Sequence, residues 1–346
     1  MFIVRQLLKW YKINKRDLPW RKDNDPYKVW ISEIILQQTR VSQGTEYFLR
    51  FIKKFPNLAS LANAKEEEVL NLWQGLGYYN RAINLHKTSK KIYSNLNGIF
   101  PKSYEELVKL NGIGDYTASA ISSICFDEYN PVVDGNVLRL ISRFYGIKDS
   151  IDSTITKKEI KRICNDLIKF ANNPGDFNQA MMEFGSLICS PYPDCNKCTL
   201  KNKCIAKNEN EVDSIPFRTL RKKIKKRFLN YTVLIDNEKR TIIDFRKDKD
   251  IWFHLYQFPL IETSEKINDF KSSHHLQKLI KKITNSGDVK FLYEKEVAHN
   301  LTHQILMITF SVFQVNSRLK KSINISNLHE FSFPVPINNF INNYLN

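Results

Sequence analysis

Cys189, Cys195, Cys198 and Cys204 fall within sixteen residues in the spacing C-x5-C-x2-C-x5-C. Four thiolates so close in sequence can converge on one centre once the chain loops round it. Four Cys ligands suit either a 4Fe–4S cluster or a structural zinc ion, and no neighbouring His changes that set. A second group of residues is acidic. Glu33 sits among Trp30, Ile34 and Ile35, where desolvation favours the protonated carboxyl. Asp134 precedes a helical stretch, where its ordinary role would be a cap. An acid paired with a carboxylate is what hydrolysis of a glycosidic bond requires. One protonates the leaving group and the other stabilises the sugar cation.

Those groups need elements to hold them. The first 205 or so residues read as helical. Val4, Leu7, Leu8 and Tyr11 fall at helical spacing, and Asp25-Pro26 starts a second helix expected over Tyr27 to Val41. Further helices are expected over 65–73, 81–93, 103–110, 115–125, 136–145, 157–170 and 177–189. Leu110-Asn111-Gly112-Ile113-Gly114-Asp115-Tyr116-Thr117-Ala118 joins two of them. Gly112 and Gly114 permit a tight turn with backbone close to a ligand, and the next helix offers free N–H groups to a phosphate. This has the form of a helix–hairpin–helix, which contacts the DNA backbone without reading sequence. Cys125 and Cys164 lie on apolar helix faces and read as buried and inert.

The composition changes after position 207. Arg218 to Arg227 holds seven basic residues in ten positions, so 208–228 reads as a basic linker, a solvated tether or a phosphate contact. Beyond it, Tyr231–Asp236, Thr241–Phe245, Val289–His299 and Gln304–Val315 are rich in β-branched and aromatic residues, with one helix over 267–283. This half reads as an α+β module over 229–346.

Size and charge fit a two-domain, polyanion-binding protein. At 346 residues the chain is long for one domain, and 42% hydrophobic content suffices for ordinary cores. Fifty-three Lys and Arg against 36 Asp and Glu leave a formal charge of +17, which favours nucleic acid or an acidic surface. No apolar run approaches the length of a membrane span, and Arg5, Gln6 and Lys9 break the N-terminal apolar pattern that a signal peptide needs. A cytoplasmic location and no membrane partner are expected. Six cysteines are too few for a disulfide scaffold.

Taken together these stretches resemble the helix–hairpin–helix DNA glycosylases, and among them the MutY-type adenine DNA glycosylases. The resemblance is carried by Leu18-Pro19-Trp20-Arg21, Pro26-Tyr27-Lys28-Val29-Trp30, Ser32-Glu33, Leu36-Gln37-Gln38-Thr39, Trp73-Gln74-Gly75-Leu76-Gly77-Tyr78-Tyr79, Asn84-Leu85-His86, the hairpin, Asp134-Gly135-Asn136-Val137 and Phe177-Asn178-Gln179-Ala180-Met181-Met182. It implies an all-α glycosylase domain of endonuclease III-like fold over 1–207, with the cysteine loop at 189–204 holding one 4Fe–4S cluster. It also implies roles. Glu33 would protonate adenine at N7, and Asp134 would stabilise the oxocarbenium-like sugar, with Asn136 and Tyr116 organising the site. Tyr78 would wedge into the DNA stack, Gln38 would contact the opposite strand, and Arg21 and Glu183 would contact the flipped adenine. Gly112 and Gly114 would hold backbone phosphate.

Position 116 separates subfamilies. Bifunctional relatives of the endonuclease III type carry a lysine there, which attacks the sugar as a Schiff-base nucleophile. Tyr116 cannot form an imine, so the resemblance implies water-dependent base removal that leaves the strand uncut, after the base has been flipped from the stack. Leu138, where some relatives carry a lysine, points the same way.

His299-Asn300-Leu301-Thr302-His303 resembles the family's His-x-Phe-Ser-His segment, which touches 8-oxoguanine opposite the adenine. Thr302 keeps a hydroxyl for that contact, and His303 is the second candidate there. Trp252 and Leu255-Tyr256-Gln257-Phe258-Pro259 resemble the Nudix-like (MutT-like) domain, but without its Glu-rich catalytic box, which implies recognition rather than pyrophosphate hydrolysis. The sequence departs from the family in a first cysteine interval of five residues where six is usual, and in Asn111 where the hairpin usually has Pro. The implied partner is double-stranded DNA bearing A opposite 8-oxoguanine or guanine, met by a monomer. Competing readings are a glycosylase with another mismatch preference, thymine excision included, a non-catalytic iron–sulfur DNA-damage binder, and a zinc-structured DNA-binding regulator.

Overall fold

The computed structural model describes residues 1–219, 224–267, 273–284 and 289–345. They form two compact units: Met1–Ala64 with Asn84–Arg221, and Lys65–Ile83 with Lys222–Asn346. The segment Lys65–Ile83, which the sequence pattern groups with the helical first 207 residues, joins the second unit.

The first two hundred residues are helical: α1 (Phe2–Asn14), α2 (Pro26–Leu36), α3 (Val41–Lys54), α4 (Leu58–Ala62), α5 (Glu66–Trp73), α6 (Asn80–Asn95), α7 (Tyr104–Leu107), α8 (Asp115–Phe126), α9 (Gly135–Tyr145), α10 (Thr154–Ile168), α11 (Pro174–Leu187) and α12 (Ile205–Asn208). The core of the first unit forms where apolar faces of α1, α9, α10 and α11 meet. Leu7, Trp10, Leu140, Ile141, Ile160, Phe177 and Phe184 are buried there, with the Trp10 and Phe184 rings edge-on at 5.1 Å. Each such side chain contributes about 1.5–3 kcal/mol by leaving water. Three of the four clustered cysteines, Cys189, Cys198 and Cys204, pack against the edge of this core.

The helix expected over 27–41 is two elements' worth of chain. It stops at Leu36, Gln38 takes a left-handed φ of 60°, and Arg40 is extended as the N-cap of α3. Gly44 lets α3 lie close to α2, since a Cβ there would stand 2.6 Å from Leu36 Cδ2.

The second unit is built on a four-stranded sheet in the order β5-β1-β7-β6, from β1 (Lys225–Asp236), β5 (Leu260–Thr263), β6 (Val289–Asn300) and β7 (Gln304–Val315). β1 and β7 run parallel, in register from Lys225 opposite Gln304 to Asp236 opposite Val315. The short strands β2 (Arg240–Thr241), β3 (Asp244–Phe245), β4 (Tyr256–Gln257) and β8 (Ile323–Asn324) pair as β2-β8 and β3-β4, so the single strand expected over 241–245 is split. Alternation along β7 sends Leu306, Ile308, Phe310 and Val312 to one core, with Ile337 and Phe340 of α14 (Val335–Tyr344), and Phe313 and Val315 to the other. Phe310 and Phe340 stack at 4.1 Å. The other core takes Leu276 and Ile280 of α13 (His274–Thr284).

The basic run is not one tether. Leu220 to Lys223, with Arg221, Lys222 and Lys223, lie outside the described residues. Lys225, Lys226 and Arg227 belong to β1. Arg227 is bound to Asp250 through both terminal nitrogens and to Glu262 through Nε and Nη2, at 2.6–2.9 Å, which commits it within the fold rather than to a phosphate. Part of the helix expected over 267–283 also lies outside the described residues, at 268–272. Among the described residues no helix is long and apolar enough to cross a membrane.

Candidate active site

Pro26 at the first helical position and Asp25, whose carboxylate accepts from the Tyr27 amide at 2.9 Å, start α2 in a fixed place. The helix is buried nearly all round, so the acidic side chain its sequence carries goes inside too. Glu33 is 7% exposed. Burial pushes its carboxyl up to about 7, against the opposing pull of the Tyr116 hydroxyl and the Arg21 charge and with some help from Asp134.

Asp134 is the N-cap of α9, as its position before a helix suggests. Its Oδ1 accepts from the amides of Asn136 at 2.9 Å and Val137 at 2.7 Å, and its Oδ2 from Asn136 Nδ2 at 2.7 Å. The cap fixes both oxygens. Burial raises this carboxyl's pKa, while those three donors and the Arg139 charge favour its ionised form. Tyr116, in the first turn of α8, has its hydroxyl 3.3 Å from Met182 Sδ and in hydrogen-bonding reach of Glu33. Burial and the two nearby carboxyls hold the phenol well above its ordinary range, so it stays neutral.

An open cavity of about 690 Å³ is lined by Glu33, Tyr116, Asp134 and Asn136 together with Arg21 and Glu183. An adjoining space of about 670 Å³ shares the first four and adds Gln38. Both volumes lie within the range of small-molecule sites. Arg21 and Glu183 meet each other at 2.7 Å, and Glu183 also takes Arg16 Nε at 2.9 Å. Arg16 carries no signal in the sequence, because its carboxylate partner lies 167 residues away.

The hairpin immediately precedes α8, whose first turn carries Tyr116. Gly112 has a φ of +77°, and a Cβ on it would stand 2.7 Å from Asn84 Cβ, so both conformation and space demand glycine. Thr88 holds the turn by donating to the Asn111 carbonyl at 2.7 Å. Gly114 has no such constraint from the protein: its φ is ordinary, and a Cβ would meet nothing within 4 Å. It is the N-cap of α8 without a side-chain cap, which leaves first-turn N–H groups open two residues before Tyr116. Asp115 in that turn is paired with Lys161 and accepts from Tyr104.

The four cysteines line one cavity, walled by Leu140, Phe144, Ile188, Leu200 and Val212. Backbone N–H groups at Leu200 reach the Cys198 sulfur, and those at Ala206 and Lys207 reach the Cys204 sulfur. The Arg143 guanidinium approaches Cys189 Sγ at 3.7 Å. Burial raises the Cys189, Cys198 and Cys204 thiols, Cys198 to about 11, and these donors only oppose it; four cysteine side chains around one cavity are a donor set that fits the expected group. Among the described residues no three Cys, His, Asp or Glu side chains are placed to hold a single metal ion. Cys164 is buried, Cys125 is half-buried, and burial pushes both thiols up to about 12, which leaves them unreactive.

Two further arginines, both on α9, escape the sequence reading. Buried Arg143 donates to the carbonyls of Ser190, Pro191 and Ile215 at 2.6–3.0 Å and so pins the cysteine loop. Arg139, one turn earlier, spans Asn136 and the Cys189 and Gly185 carbonyls. Two arginines four apart in an apolar helix are a usable signal of inward-facing cations.

Tyr78, Thr302 and His303 lie in the second unit. The Tyr78 backbone is left-handed at φ 47°, between Gly77 and α6, and its hydroxyl lies 2.8 Å from Thr302 Oγ1. Thr302 and His303 form the exposed tip of the β6–β7 hairpin.

Comparison with known proteins places this architecture. Residues 31–169 match the family model of the HhH-GPD superfamily base excision DNA repair proteins, and residues 230–343 match the NUDIX domain. The adenine DNA glycosylase of Buchnera aphidicola subsp. Schizaphis graminum is 38% identical over 349 residues, covering 97% of each chain. The structure of a thermostable thymine-DNA glycosylase is similar over 60% of this chain and 96% of its own, with a TM-score of 0.55 and 26% identity. An endonuclease III–DNA complex has the same helical fold, with a TM-score of 0.51, 21% identity, and cover of 60% and 95%. On the near full-length match, this chain is a member of the adenine DNA glycosylase family.

Proposed function

We propose that this base excision repair enzyme removes adenine mispaired with 8-oxoguanine or guanine in duplex DNA, by hydrolysis, and leaves the strand uncut. The observation that carries the reading is the pairing of two unlike carboxyls in one cavity. Glu33, with its pKa near 7, keeps a large protonated fraction at neutral pH and can give that proton to N7 of the leaving adenine. Asp134, its oxygens fixed by Asn136 and Val137, faces the positive charge that develops on the sugar. Arg21, Arg16 and Glu183 would seat the flipped base by its polar edge, and neutral Tyr116 would hold Glu33 in place. Among the described residues no lysine lines either part of the cavity, which supports hydrolysis over Schiff-base chemistry.

Duplex DNA would be gripped at Gly112–Gly114 and the open start of α8. Gln38, aimed into the adjoining space by its left-handed backbone, would contact the opposite strand. Tyr78 would enter the stack and Thr302 would hydrogen-bond the 8-oxoguanine. Cys189, Cys195, Cys198 and Cys204 would hold one 4Fe–4S cluster. When bound, it would supply a rigid cross-link that shapes the basic loop carrying Lys197, Lys201 and Lys203.

The test is a glycosylase assay on duplexes with A opposite 8-oxoguanine, A opposite guanine and T opposite guanine. Adenine release from the first two, with strand breaks only after alkali, is expected. No adenine release from the first duplex, or breaks without alkali, would overturn the reading.

A further inference from the structure

Asp134 can act on the sugar only if the start of α9 stands in the right place. Its capping bonds to Asn136 and Val137 fix the carboxylate on α9, but α9 itself must also be held. The chain that leads to it, from the end of α8 to Val133, forms neither helix nor strand. Val132 in that segment is only 1% exposed. A buried backbone amide outside regular structure needs a partner from elsewhere.

The partner is the side chain of Asn178 on α11. Its Oδ1 accepts from the Val132 amide at 3.0 Å, and its Nδ2 donates to the Asn130 carbonyl at 2.8 Å. One side-chain amide thus clasps the backbone on both sides of Pro131. The same Nδ2 donates to Ser123 Oγ at 2.9 Å, which ties the clasp to α8, the helix that carries Tyr116. Asn178 is itself 1% exposed, so its loss would leave a buried N–H and a buried carbonyl without their partner.

α11 also meets the chain on the far side of Asp134. A Cβ on Gly185 would stand 2.7 Å from the Asn136 carbonyl oxygen and 2.9 Å from its carbon, so the two backbones touch there. Val132 lies two residues before Asp134 and Asn136 two after it. Asn178 and Gly185 lie seven residues apart, two turns along one face of α11. Glu183, in the cavity wall, belongs to the same helix. Asp134 is therefore bracketed by one element that also bears Glu183.

We propose that Asn178 is a positioning residue for base release, which acts by holding the Asp134 carboxylate at a fixed place beside the sugar. The inference rests on the proposed role of Asp134. Asn178 is not in the cavity wall and acts through the backbone of residues 130–132. The Gly112–Gly114 hairpin is outside the clasp, so the grip on duplex DNA is independent of it.

The test is single-turnover adenine release from A opposite 8-oxoguanine by the full chain, read as both rate constant and amplitude. Binding is titrated with the same duplex made uncleavable by fluorine at the 2′ carbon of the target nucleotide. Asn178→Ala should lower the rate constant about 10- to 100-fold, since a shift of about 1 Å can cost that much, while duplex affinity stays within about threefold. Ser123→Ala removes one anchor and leaves the Val132 bond, and should lower the rate constant about two- to fivefold. A merely structural role would reduce the amplitude, the fraction of competent enzyme, and leave the rate constant at the parent value. Parent-like rate constants, or a loss of affinity that matches the loss of rate, would overturn the inference. If Asn178→Ala yields no folded protein, Ser123→Ala decides alone. Asp134→Asn is measured beside them. Parent-like release in that variant sinks the Asp134 reading and this inference with it. Lost release there, with parent-like rate constants in the others, sinks the positioning role alone.

Discussion

Arg139 and Cys189 are joined by a 2.7 Å hydrogen bond from the arginine Nε to the cysteine carbonyl. The same guanidinium donates through Nη2 to Asn136 Oδ1 at 2.9 Å, and Asn136 in turn donates to Asp134. The cysteine loop thus sets the rotamer of the side chain that fixes the carboxylate. Arg139→Gln removes the charge and at least one of these bonds. Charge-assisted bonds contribute about 1.5–3 kcal/mol each, so base release should fall about 10- to 100-fold. Single-turnover kinetics with A opposite 8-oxoguanine would check this, and an unchanged rate would show that Asn136 holds its place unaided.

If Glu33 is the proton donor, as proposed, its acid form is the reactive one, and burial pushes its carboxyl up to about 7. The single-turnover rate should therefore be flat on the acid side of 7 and fall about tenfold per pH unit well above it. A second decline is expected at lower pH, where Asp134 takes a proton. A profile that rises through pH 8 would exclude Glu33 as the proton donor.

The same residue costs stability. Its folded-state pKa is raised, so the favourable contribution of the protonated form is complete below the ordinary Glu range, near 4.5, and is lost as pH rises through about 7. The loss by pH 8 is of order 3 kcal/mol, since each tenfold change in proton affinity between the folded and unfolded chain is about 1.4 kcal/mol. Glu33→Gln should then melt higher than the parent protein at pH 8, with the gap closing at pH 5. Base release should be almost abolished in this variant while lesion binding is kept. Melting curves at both pH values and a binding titration test these outcomes together.

How much of this was legible in the sequence depends on whether the deciding contact is local. Asp134 as a cap, the Gly112 turn, and the alternation along Gln304–Val315 are set by near neighbours and can be read directly. The end of α2 cannot, because no Gly or Pro marks residues 37–40 and the stop comes from Gln38 adopting a left-handed backbone. α3 is hard to see although Phe48 and Phe51 have helical spacing, because Gly44 interrupts the pattern. Arg16, Arg139 and Arg143 find their partners 46 to 167 residues away, and Lys65–Ile83 looks like any other helical stretch until its packing is seen.

Tyr78 and Thr302 share one hydroxyl–hydroxyl hydrogen bond across 224 residues of sequence. If that pair acts together on 8-oxoguanine, Tyr78→Phe and Thr302→Val should each weaken binding to A opposite 8-oxoguanine about three- to tenfold, as expected for a neutral hydrogen bond of about 0.5–1.5 kcal/mol. The double variant should lose little more than either single one. Additive losses in this cycle would mean that the two hydroxyls act independently on DNA.

The cysteine loop makes the last prediction. The purified protein should be brown, with a broad visible band and about four irons per chain, as a 4Fe–4S site demands. A colourless protein containing one zinc would replace that assignment with a structural ion. Cys198→Ser should bleach the band. Because Arg139 and Arg143 anchor to the carbonyls of Cys189, Ser190 and Pro191, it should also weaken DNA binding and lower base release together. If bleaching left both unchanged, the Arg139 and Arg143 bonds alone would be sufficient to hold the loop.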